Sequence, residues 1–425
     1  MIRIIQSKLT YFYIFCVLAI LISCKYDNDL TISPAVEVRY TEGKARLYRN
    51  GNPYFIKGAS GIDNLEKVSA YGGNSIRTWS VHNAGEILDK AEALGLTVTL
   101  GLEIGRPYWG EDFKYWNILE VNKKIEELKP IIEKYKNHPA LLMWGVGNEV
   151  SLKGGSRYLI YYTINRIAKM IKETDPNHPV MTAINVKTIG RGKYLMPNVD
   201  ILGYNGFGLI KHFFEDNKNY KYKEWGVPGH WEVKDTAWGA PYELSTKQKI
   251  NFLQQYWELM NQDTTSFLGS YAFYWGNKFE ITNTWFSQFS TEGENSETVQ
   301  YIQSLWKGEA FHSNLPEIFN ISFNDRPGQS NQYLTADSLY SASPITDFDD
   351  LSALKFKWEI RPEEAKFYEL DDYQHNMSYL MEADSASTLK FRTPKNEGPY
   401  RIYVYISDDS GNYTSHNLPF YVVNQ

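Results

Sequence analysis

The stretch that decides the fold is Ala-Leu-Leu-Met-Trp-Gly-Val-Gly-Asn-Glu-Val, residues 140–150. It begins as an almost continuous apolar run, as expected of a parallel strand that is covered on both faces. The run ends at a polar pair, Asn148 and Glu149. In a barrel of alternating strands and helices, the active site lies at the carboxyl ends of the strands. The pair therefore predicts a catalytic acid beside an amide that holds substrate, and the alternative is a strand that ends in an ordinary polar turn.

Short apolar runs alternate with segments of helical periodicity on both sides of this stretch. Strands are predicted at residues 54–58, 74–79, 96–103, 140–146, 180–184, 199–204, 222–225 and 267–275. Eight strands within about 250 residues match the (β/α)8 TIM barrel in number and length. A hairpin at residues 36–55, with its turn at Asn50 and Gly51, is predicted to close the bottom of the barrel.

The pattern changes beyond Lys307. Residues 354–360 and 400–406 alternate between apolar and polar side chains, and turn signals such as Asp-Asp-Ser-Gly at 408–411 separate short strands. The predicted fold class is therefore α/β, with a catalytic barrel at residues 36–310 followed by an all-β immunoglobulin-like sandwich at residues 311–425. The sandwich is expected to pack on the barrel or to act as a spacer, and a carbohydrate-binding role is an alternative.

The first residues predict a targeting segment. Arg3 and Lys8 accompany a short apolar core at residues 11–22, which is too short to favour a spanning helix. It ends in Leu-Ile-Ser-Cys, which resembles the bacterial lipobox, whose cysteine becomes the lipidated first residue of the mature protein. This resemblance implies a signal peptide at residues 1–23, a membrane anchor at Cys24, a tether at residues 24–35 and a location in the bacterial cell envelope, expected to be the outer membrane. An ordinary signal peptide or a signal anchor is the alternative.

Composition excludes several classes of function. The net charge of −6, with 44 basic and 50 acidic residues, and the lack of a basic stripe argue against nucleic acid as a partner. The histidines lack metal-ligand spacing, and neither a serine nucleophile elbow nor a Gly-rich phosphate loop is present. We therefore expect no metal and no cofactor, and a monomer. The 12 Trp, 32 Tyr and 21 Phe residues suit a protein that stacks sugar rings, although cores also use aromatics.

Two carboxylates at predicted strand ends carry the chemistry. Glu149 follows strand four and Glu224 lies at the end of strand seven, so they are expected to face each other across the barrel mouth. Glycoside cleavage needs such a pair, one acid that donates a proton and one nucleophile or base. Glu232 is a rival for the second role. Glu224 is preferred because it lies at the strand end, directly before Trp225 and Gly226.

Other strand ends supply companions to this pair. Arg77 is expected to bind Glu224 and keep it ionised, and Tyr204 is expected to donate a hydrogen bond to the same carboxylate. Asn148 is predicted to hold the sugar 2-hydroxyl, a contact that strengthens in the transition state. Trp275 is predicted to form the floor of the central sugar subsite.

Two further residues are substrate-binding candidates. Glu103 ends strand three, and Trp231 lies in the loop after strand seven. Structural roles are the alternatives: Arg77 and Glu103 as an ion pair in the barrel core, and Tyr204 and Trp275 as core aromatics. Trp109 and Trp116, after strand three, are equally candidates for sugar stacking or for hydrophobic cover of a helix.

These motifs resemble a known clan. Asn-Gly-Asn-Pro-Tyr-Phe-Ile-Lys-Gly at 50–58 and Asn-Ser-Ile-Arg-Thr-Trp at 74–79 look like the opening strands of the family-two glycoside hydrolases, the β-galactosidase and β-glucuronidase family. Gly-Asn-Glu-Val at 147–150 resembles their acid/base motif, which β-1,3-glucanases share. The resemblance implies a retaining enzyme with Glu149 as acid/base and Glu224 as nucleophile. The supporting residues it implies are Arg77, Asn148, Tyr204 and Trp275.

The domain order refines the expected substrate. In family two, β-sandwich domains precede the barrel, whereas here the sandwich follows it, an order similar to bacterial barrel-plus-immunoglobulin β-1,3-glucanases. We therefore expect a lipid-anchored endo-β-1,3-glucanase acting on polysaccharide. The alternatives are an exo-acting β-glycosidase of the galactosidase or glucuronidase type, a transglycosylase, and a surface glycan-binding lipoprotein without catalysis.

Overall fold

The structure is a computed structural model, and it describes residues 34–107, 110–152, 156–185, 192–207, 221–363 and 376–424. The predicted signal peptide and Cys24 lie outside the described residues, as does most of the predicted tether. Residues Ala35–Gln425 form one compact unit. Among the described residues, no helix has the length and apolar composition needed to cross a bilayer.

A small antiparallel sheet closes one end of the barrel. It consists of β1 (Val36–Thr41), β2 (Lys44–Arg49) and β3 (Asn52–Tyr54). The turn before β3 uses Asn50 and Gly51, both with positive φ. The backbone N–H of Val36 donates to Asn177 at 3.0 Å and that of Ala45 donates to Thr265 at 2.7 Å. Both acceptors shortly precede barrel strands, so the sheet covers the barrel bottom as predicted.

Eight parallel strands form the closed barrel. They are β4 (Ile56–Ser60), β5 (Ser75–Arg77), β6 (Thr97–Leu102), β7 (Leu141–Asn148), β8 (Val180–Asn185), β9 (Ile201–Asn205), β10 (Lys221–Trp225) and β11 (Phe267–Ala272). The sheet closes because β10 pairs with both β9 and β11, and β11 pairs with β4. The predicted eightfold barrel is confirmed.

Helices cover the outside of this barrel. They are α1 (Leu65–Ala70), α2 (Ala84–Ala93), α3 (Ile118–Tyr135), α4 (Arg157–Thr174), α5 (Thr246–Gln262) and α6 (Glu297–Lys307). Side chains alternate between the two faces of a strand. Met143 and Met181 thus lie in the interior cluster with the bottom sheet. Trp144 and Val146 pack in the layer between strands and helices.

Two antiparallel-rich sheets follow the barrel. Their strands are β12 (Asn295–Ser296), β13 (Ile318–Phe323), β14 (Arg326–Pro327), β15 (Gln332–Thr335), β16 (Leu339–Thr346), β17 (Lys355–Pro362), β18 (Leu389–Arg392), β19 (Gly398–Ser407) and β20 (Asn412–Val423). One sheet has the order β14-β13-β16-β18, and the other has β12-β20-β19-β17 with β15 also on β20. Phe323, Trp358, Phe391 and Phe420 share one buried core between the sheets. The sequence-derived fold class, a barrel followed by an all-β sandwich, is confirmed.

The sandwich meets the barrel through buried polar contacts. Lys249 of α5 pairs with Glu243 at 2.5 Å, and Asn417 of β20 donates to the same carboxylate at 2.7 Å. Arg401 of β19 donates to the carbonyl oxygen of Pro241 at 2.8 Å. Burial acts to raise the pKa of Glu243, but the charge of Lys249 and the hydrogen bonds from Lys249, Thr282 and Asn417 together lower it below its usual value. In addition β12, which precedes α6, pairs with β20.

His416 makes this junction sensitive to acid. Burial lowers the pKa of its imidazole from 6.5 to about 4, with Lys249 and Arg401 acting in the same direction against Glu243. Between these two values the unfolded chain binds a proton that the folded chain refuses, so stability falls as the pH drops from about 6.5 to about 4. The loss is at most roughly 3 kcal/mol. Urea unfolding across this range checks it, and His416→Gln is expected to flatten the slope. An unchanged slope in that variant would contradict the assignment to His416.

Candidate active site

Glu224 lies at the C-terminal end of β10 and is 1% exposed. Its carboxylate forms an ion pair with the guanidinium of Arg77, the last residue of β5, and both side chains are 2% exposed. The next residue, Trp225, belongs to the opposite face of the strand, where its ring contacts Trp257 of α5 at 5.8 Å between centroids. Alternation along β10 therefore places Glu224 inside the barrel mouth, and the Arg77–Glu224 contact has the predicted partners.

Asn148 joins this pair to β7, the strand that precedes Glu149. Its Oδ1 accepts hydrogen bonds from Nη2 of Arg77 at 2.7 Å and from Nδ2 of Asn205 at 3.0 Å. The four side chains Arg77, Asn148, Asn205 and Glu224 come from four barrel strands, β5, β7, β9 and β10. Their contacts join strands that are not adjacent in the barrel, so the cluster links β5, β7, β9 and β10 across the mouth.

Glu149 follows Asn148 in a backbone turn. Its φ is +51°, and Gly147 two residues earlier has φ +70°. The pairing of β7 with β8 shifts register between Gly145 and Asn148, and the N–H of Glu149 donates to Ala183 at 2.9 Å. Such bulges re-aim side chains, and left-handed non-glycine residues cluster at functional sites. Glu149 is half-buried at the mouth, on the strand that carries Asn148.

Tyr204 lies on the outward face of β9. It packs with Leu202 in the layer between strands and helices and is 2% exposed. Alternation along β9 turns the next residue, Asn205, toward the mouth, where it pairs in register with Glu224. The hydrogen bond expected from Tyr204 to Glu224 stays a prediction, and Asn205 is a further β9 residue, which joins the cluster through Asn148.

Matched variants of Tyr204 and Asn205 test which of the two side chains contributes to activity. Tyr204→Phe, which keeps the buried ring, is expected to change kcat/KM by less than about twofold. Asn205→Ala is expected to lower kcat/KM by about ten- to hundredfold because Asn148 loses one of its two fixed donors. Initial rates on any cleaved substrate give both values. The opposite order of effects would restore Tyr204 to the site.

Trp275 does not lie where the sequence analysis predicts it. Strand β11 ends at Ala272, and Trp275 is fully buried against the rings of Phe289 at 5.1 Å and Trp306 of α6 at 5.3 Å. Its Nε1 donates to the carbonyl oxygen of Asn64 at 3.3 Å. A ring with no exposed face cannot stack on a sugar, so Trp275 is a core residue.

A group of half-buried aromatic rings lies near the mouth. Tyr274 stacks on Trp79 at 5.9 Å with 15° between planes, and Phe273 meets Trp79 edge-on at 6.0 Å. Phe207 packs against Phe273 at 5.2 Å. The guanidinium of Arg77 lies 5.9 Å from the Trp79 ring centroid, which places these rings beside the carboxylate cluster. We call Trp79, Phe207, Phe273 and Tyr274 the aromatic wall.

Trp231 continues this wall. It is 54% exposed in a short 3₁₀ turn, His230–Glu232, and meets Phe207 edge-on at 6.3 Å. Its role in substrate binding stays a prediction. The rival Glu232 accepts a hydrogen bond from the N–H of Gly229 at 2.9 Å, which caps its own turn. Burial, and secondarily the charge of Glu232, raise the pKa of Tyr256 on α5, so Glu232 lies toward that helix.

Glu103 follows β6 and is exposed. The structural alternative in which it pairs with Arg77 inside the barrel is wrong, because Arg77 contacts Glu224 instead. A sugar-binding role for Glu103 stays a prediction.

Charged groups beside the aromatic wall are paired with each other. The ammonium of Lys278 lies 5.2 Å from the Phe273 ring centroid and forms an ion pair with Glu280. His230 lies 3.8 Å from the same carboxylate, and burial lowers the pKa of its imidazole although Glu280 opposes this. These paired groups therefore offer little net charge to a substrate.

One group of side chains could hold a metal ion, and it lies away from the mouth. Asp89 and Glu92 of α2 approach His138 at 3.1 Å and 3.9 Å. Both carboxylates are exposed, and among the described residues no second cluster of this kind occurs.

Comparison with known proteins gives this arrangement a family. The model of "Glycosyl hydrolases family 2, TIM barrel domain" matches residues 67–300, more than half of the chain and all of the carboxylate cluster. The chain belongs to glycosyl hydrolase family 2.

Individual relatives in and around family 2 are distant. Mannan endo-1,4-beta-mannosidase F of Aspergillus clavatus is 28% identical over 134 residues, which is 28% of this chain and 28% of that protein. Human beta-glucuronidase is 23% identical over 185 residues, 39% of this chain and 26% of that protein. The match thus covers less than a third of these relatives' own length.

A solved structure shares the fold. The beta-glucuronidase of Bacteroides uniformis superimposes with a TM-score of 0.52 at 14% sequence identity, over 92% of this chain and 48% of that one. The covered part spans barrel and sandwich together, as expected of a family 2 barrel with an adjoining β domain.

Proposed function

We propose that this family 2 hydrolase cleaves β-linked polysaccharide by double displacement, with Glu224 as the nucleophile and Glu149 as the acid/base. The observation that carries the proposal is the buried Arg77–Glu224 ion pair, bridged through Asn148 to the strand that ends in Glu149. A buried carboxylate at a barrel mouth is costly unless it is paired and used.

Glu224 is suited to attack a sugar carbon. The adjacent guanidinium favours its ionised form, and the barrel interior shields it from water. Its carboxylate oxygen forms a bond to the anomeric carbon while the bond to the leaving oxygen breaks, which yields a covalent glycosyl-enzyme.

Glu149 is suited to move protons. It lies at the mouth on a different strand and is half-buried, so both a leaving oxygen and a water molecule can reach it. It gives its proton to the leaving oxygen in the first step. In the second step it removes a proton from the water that attacks the glycosyl-enzyme, which frees Glu224 and retains the β configuration.

Asn148 has its amide oriented for the sugar. Because Oδ1 accepts from Arg77 and Asn205, its Nδ2 is left to donate, and it makes no hydrogen bond within the part of the chain that the structure describes. An amide donor beside the nucleophile suits the 2-hydroxyl of the reacting sugar. The aromatic wall and Trp231 then provide flat apolar surface for sugar rings.

For the substrate we propose endo action on a neutral β-linked polysaccharide. The resemblance of the Gly-Asn-Glu-Val motif to that of β-1,3-glucanases keeps β-1,3-glucan as a candidate. The relatives named as mannan endo-1,4-beta-mannosidases add β-mannan. Exo action on glucuronides is the second candidate, because beta-glucuronidases are among the relatives. The pairing of Lys278 with Glu280 supports a neutral sugar over a uronic acid, because the charge of that ammonium is already matched by a carboxylate.

Product sizing tests this proposal. The protein is incubated with soluble β-1,3-glucan, β-1,4-mannan and an aryl β-glucuronide, and products are sized over time. Oligomers of intermediate length appearing early support endo action. Release of only single terminal sugars, or cleavage of the glucuronide alone, would replace the proposal with the exo-acting candidate.

We also propose that Cys24 carries a lipid anchor, on the strength of its lipobox-like setting. The wild-type protein is expected to partition into detergent and to incorporate labelled fatty acid in bacteria, and Cys24→Ala is expected to do neither. Equal labelling of both proteins would refute the anchor.

A further inference from the structure

Large apolar side chains are exposed where α3 and α4 begin. Trp116 is 71% exposed, Leu119 74%, Tyr158 69% and Tyr162 56%, and Ile118 is exposed with them. A soluble surface scatters such side chains singly, and their concentration marks an interaction site. We call Trp116, Ile118, Leu119, Tyr158 and Tyr162 the aromatic rim.

One contact sets the register of the two helices. Nη2 of Arg166 in α4 donates to Oδ1 of Asn122 in α3 at 2.6 Å. Both helices run away from the barrel mouth, because each follows a parallel barrel strand. Residues four positions earlier lie one turn closer to the mouth on the same faces, which are Ile118 and Tyr162. Tyr158 lies a further turn up, so Ile118, Tyr158 and Tyr162 lie near each other where the two helices begin.

The helices that carry this surface follow strands of the candidate active site. Helix α4 follows β7, which delivers Asn148 and Glu149, and α3 follows β6, its neighbour in the barrel. An acid must lie next to the oxygen that it protonates, so the leaving part of a substrate departs on the side of Glu149. The rim lies where a chain leaving in that direction would continue.

The residue types of the aromatic rim indicate which class of ligand it binds. Within residues 115–119 and 156–162, the only charged side chain is that of Arg157. Flat rings with phenol hydroxyls suit the apolar faces and hydroxyl edges of neutral sugars. A surface with one cation does not suit nucleic acid or an anionic headgroup layer.

We infer that the aromatic rim binds the leaving-group side of a neutral β-linked polysaccharide, beyond the bond that is cleaved. The inference deepens the proposed function and rests on it for the position of the cleaved bond. The rim would hold the polymer while the aromatic wall holds the reacting sugar.

Two measurements on the full chain separate polysaccharide binding at the aromatic rim from catalysis. In the first, the Glu224→Gln protein migrates through native gels containing β-1,3-glucan or β-mannan. Adding Trp116→Ala, Tyr158→Ala and Tyr162→Ala is expected to abolish its retardation. In the second, the same three substitutions in the active protein are expected to lower kcat/KM on the polymer by about tenfold. On an aryl β-glycoside, which does not reach the rim, the change is expected to stay below about twofold.

Controls use exposed tyrosines elsewhere. Tyr40 at the barrel bottom is 54% exposed and Tyr379 in the sandwich is 78% exposed, and alanine at either should leave retardation intact. The inference is overturned if no polysaccharide retards the Glu224→Gln protein, if the controls lose as much as the rim variant, or if the rim substitutions remove binding to phosphatidylglycerol vesicles but not to polysaccharide. A protein that is retarded yet cleaves nothing would instead overturn the proposed catalysis and leave the rim standing.

Discussion

Glu224→Gln is expected to lower kcat by about 10⁴-fold or more on every substrate that the protein cleaves. The amide keeps the shape of the side chain and can still accept a hydrogen bond from Arg77, but it cannot form the glycosyl-enzyme bond. Initial rates on polymer and on an aryl glycoside measure the loss, and circular dichroism checks the fold. Full activity in this variant would end the assignment of Glu224.

Glu149 provides the matched comparison. Glu149→Gln is expected to lower kcat by about 10²- to 10⁴-fold. The decrease in kcat is expected to be smaller on substrates whose leaving group needs no proton. Azide should distinguish the roles of the two carboxylates, because it is a nucleophile that needs no general base. With Glu149→Ala it should intercept the covalent intermediate and give a β-glycosyl azide. With Glu224→Ala it should take the place of the nucleophile and give the α product. The reverse pairing would exchange the two roles.

Arg77→Leu is expected to destabilise the protein by about 3–5 kcal/mol and to abolish activity. The substitution leaves the Glu224 carboxylate buried without its opposite charge, and it removes a donor from Asn148. Urea unfolding at neutral pH gives the free-energy change.

The double variant Arg77→Leu with Glu224→Leu separates stability from catalysis. It is expected to recover much of the stability, since replacing both charges with apolar groups removes the unpaired charge. It should remain inactive. If the single variant proves as stable as the parent, the ion pair does not carry the buried charge of Glu224.

Sequence patterns predicted the barrel and the core of its site for a physical reason. Eight apolar runs and their helices specify a closed parallel sheet, and its carboxyl ends must converge. Glu224, Arg77 and Asn148 each sit at or next to the last residue of a strand, so predicting the strand ends brought them together. Asn205 was missed by one position.

The errors arose where strand ends and faces were uncertain. The apolar run at residues 267–275 reads as one strand, but the ladder stops at Ala272 and the chain carries Trp275 into the core. Since side chains alternate, the prediction for β9 that named Tyr204 missed the next residue, Asn205, which faces the mouth. The aromatic wall depends on packing between segments far apart in the chain, such as Trp79 and Tyr274, which no local pattern reveals.

Enzymes built from separate modules are commonly shortened or recombined at the joints between them, and the junction described above argues against doing so here. A cut near residue 310 would take β20 away from β12 and the Asn417 amide away from Glu243. It would open to solvent a carboxylate that now helps to anchor α5, the helix behind the strand of Glu224. The sandwich thus serves as part of the outer wall of the catalytic barrel, and a transplanted barrel would have to bring it along.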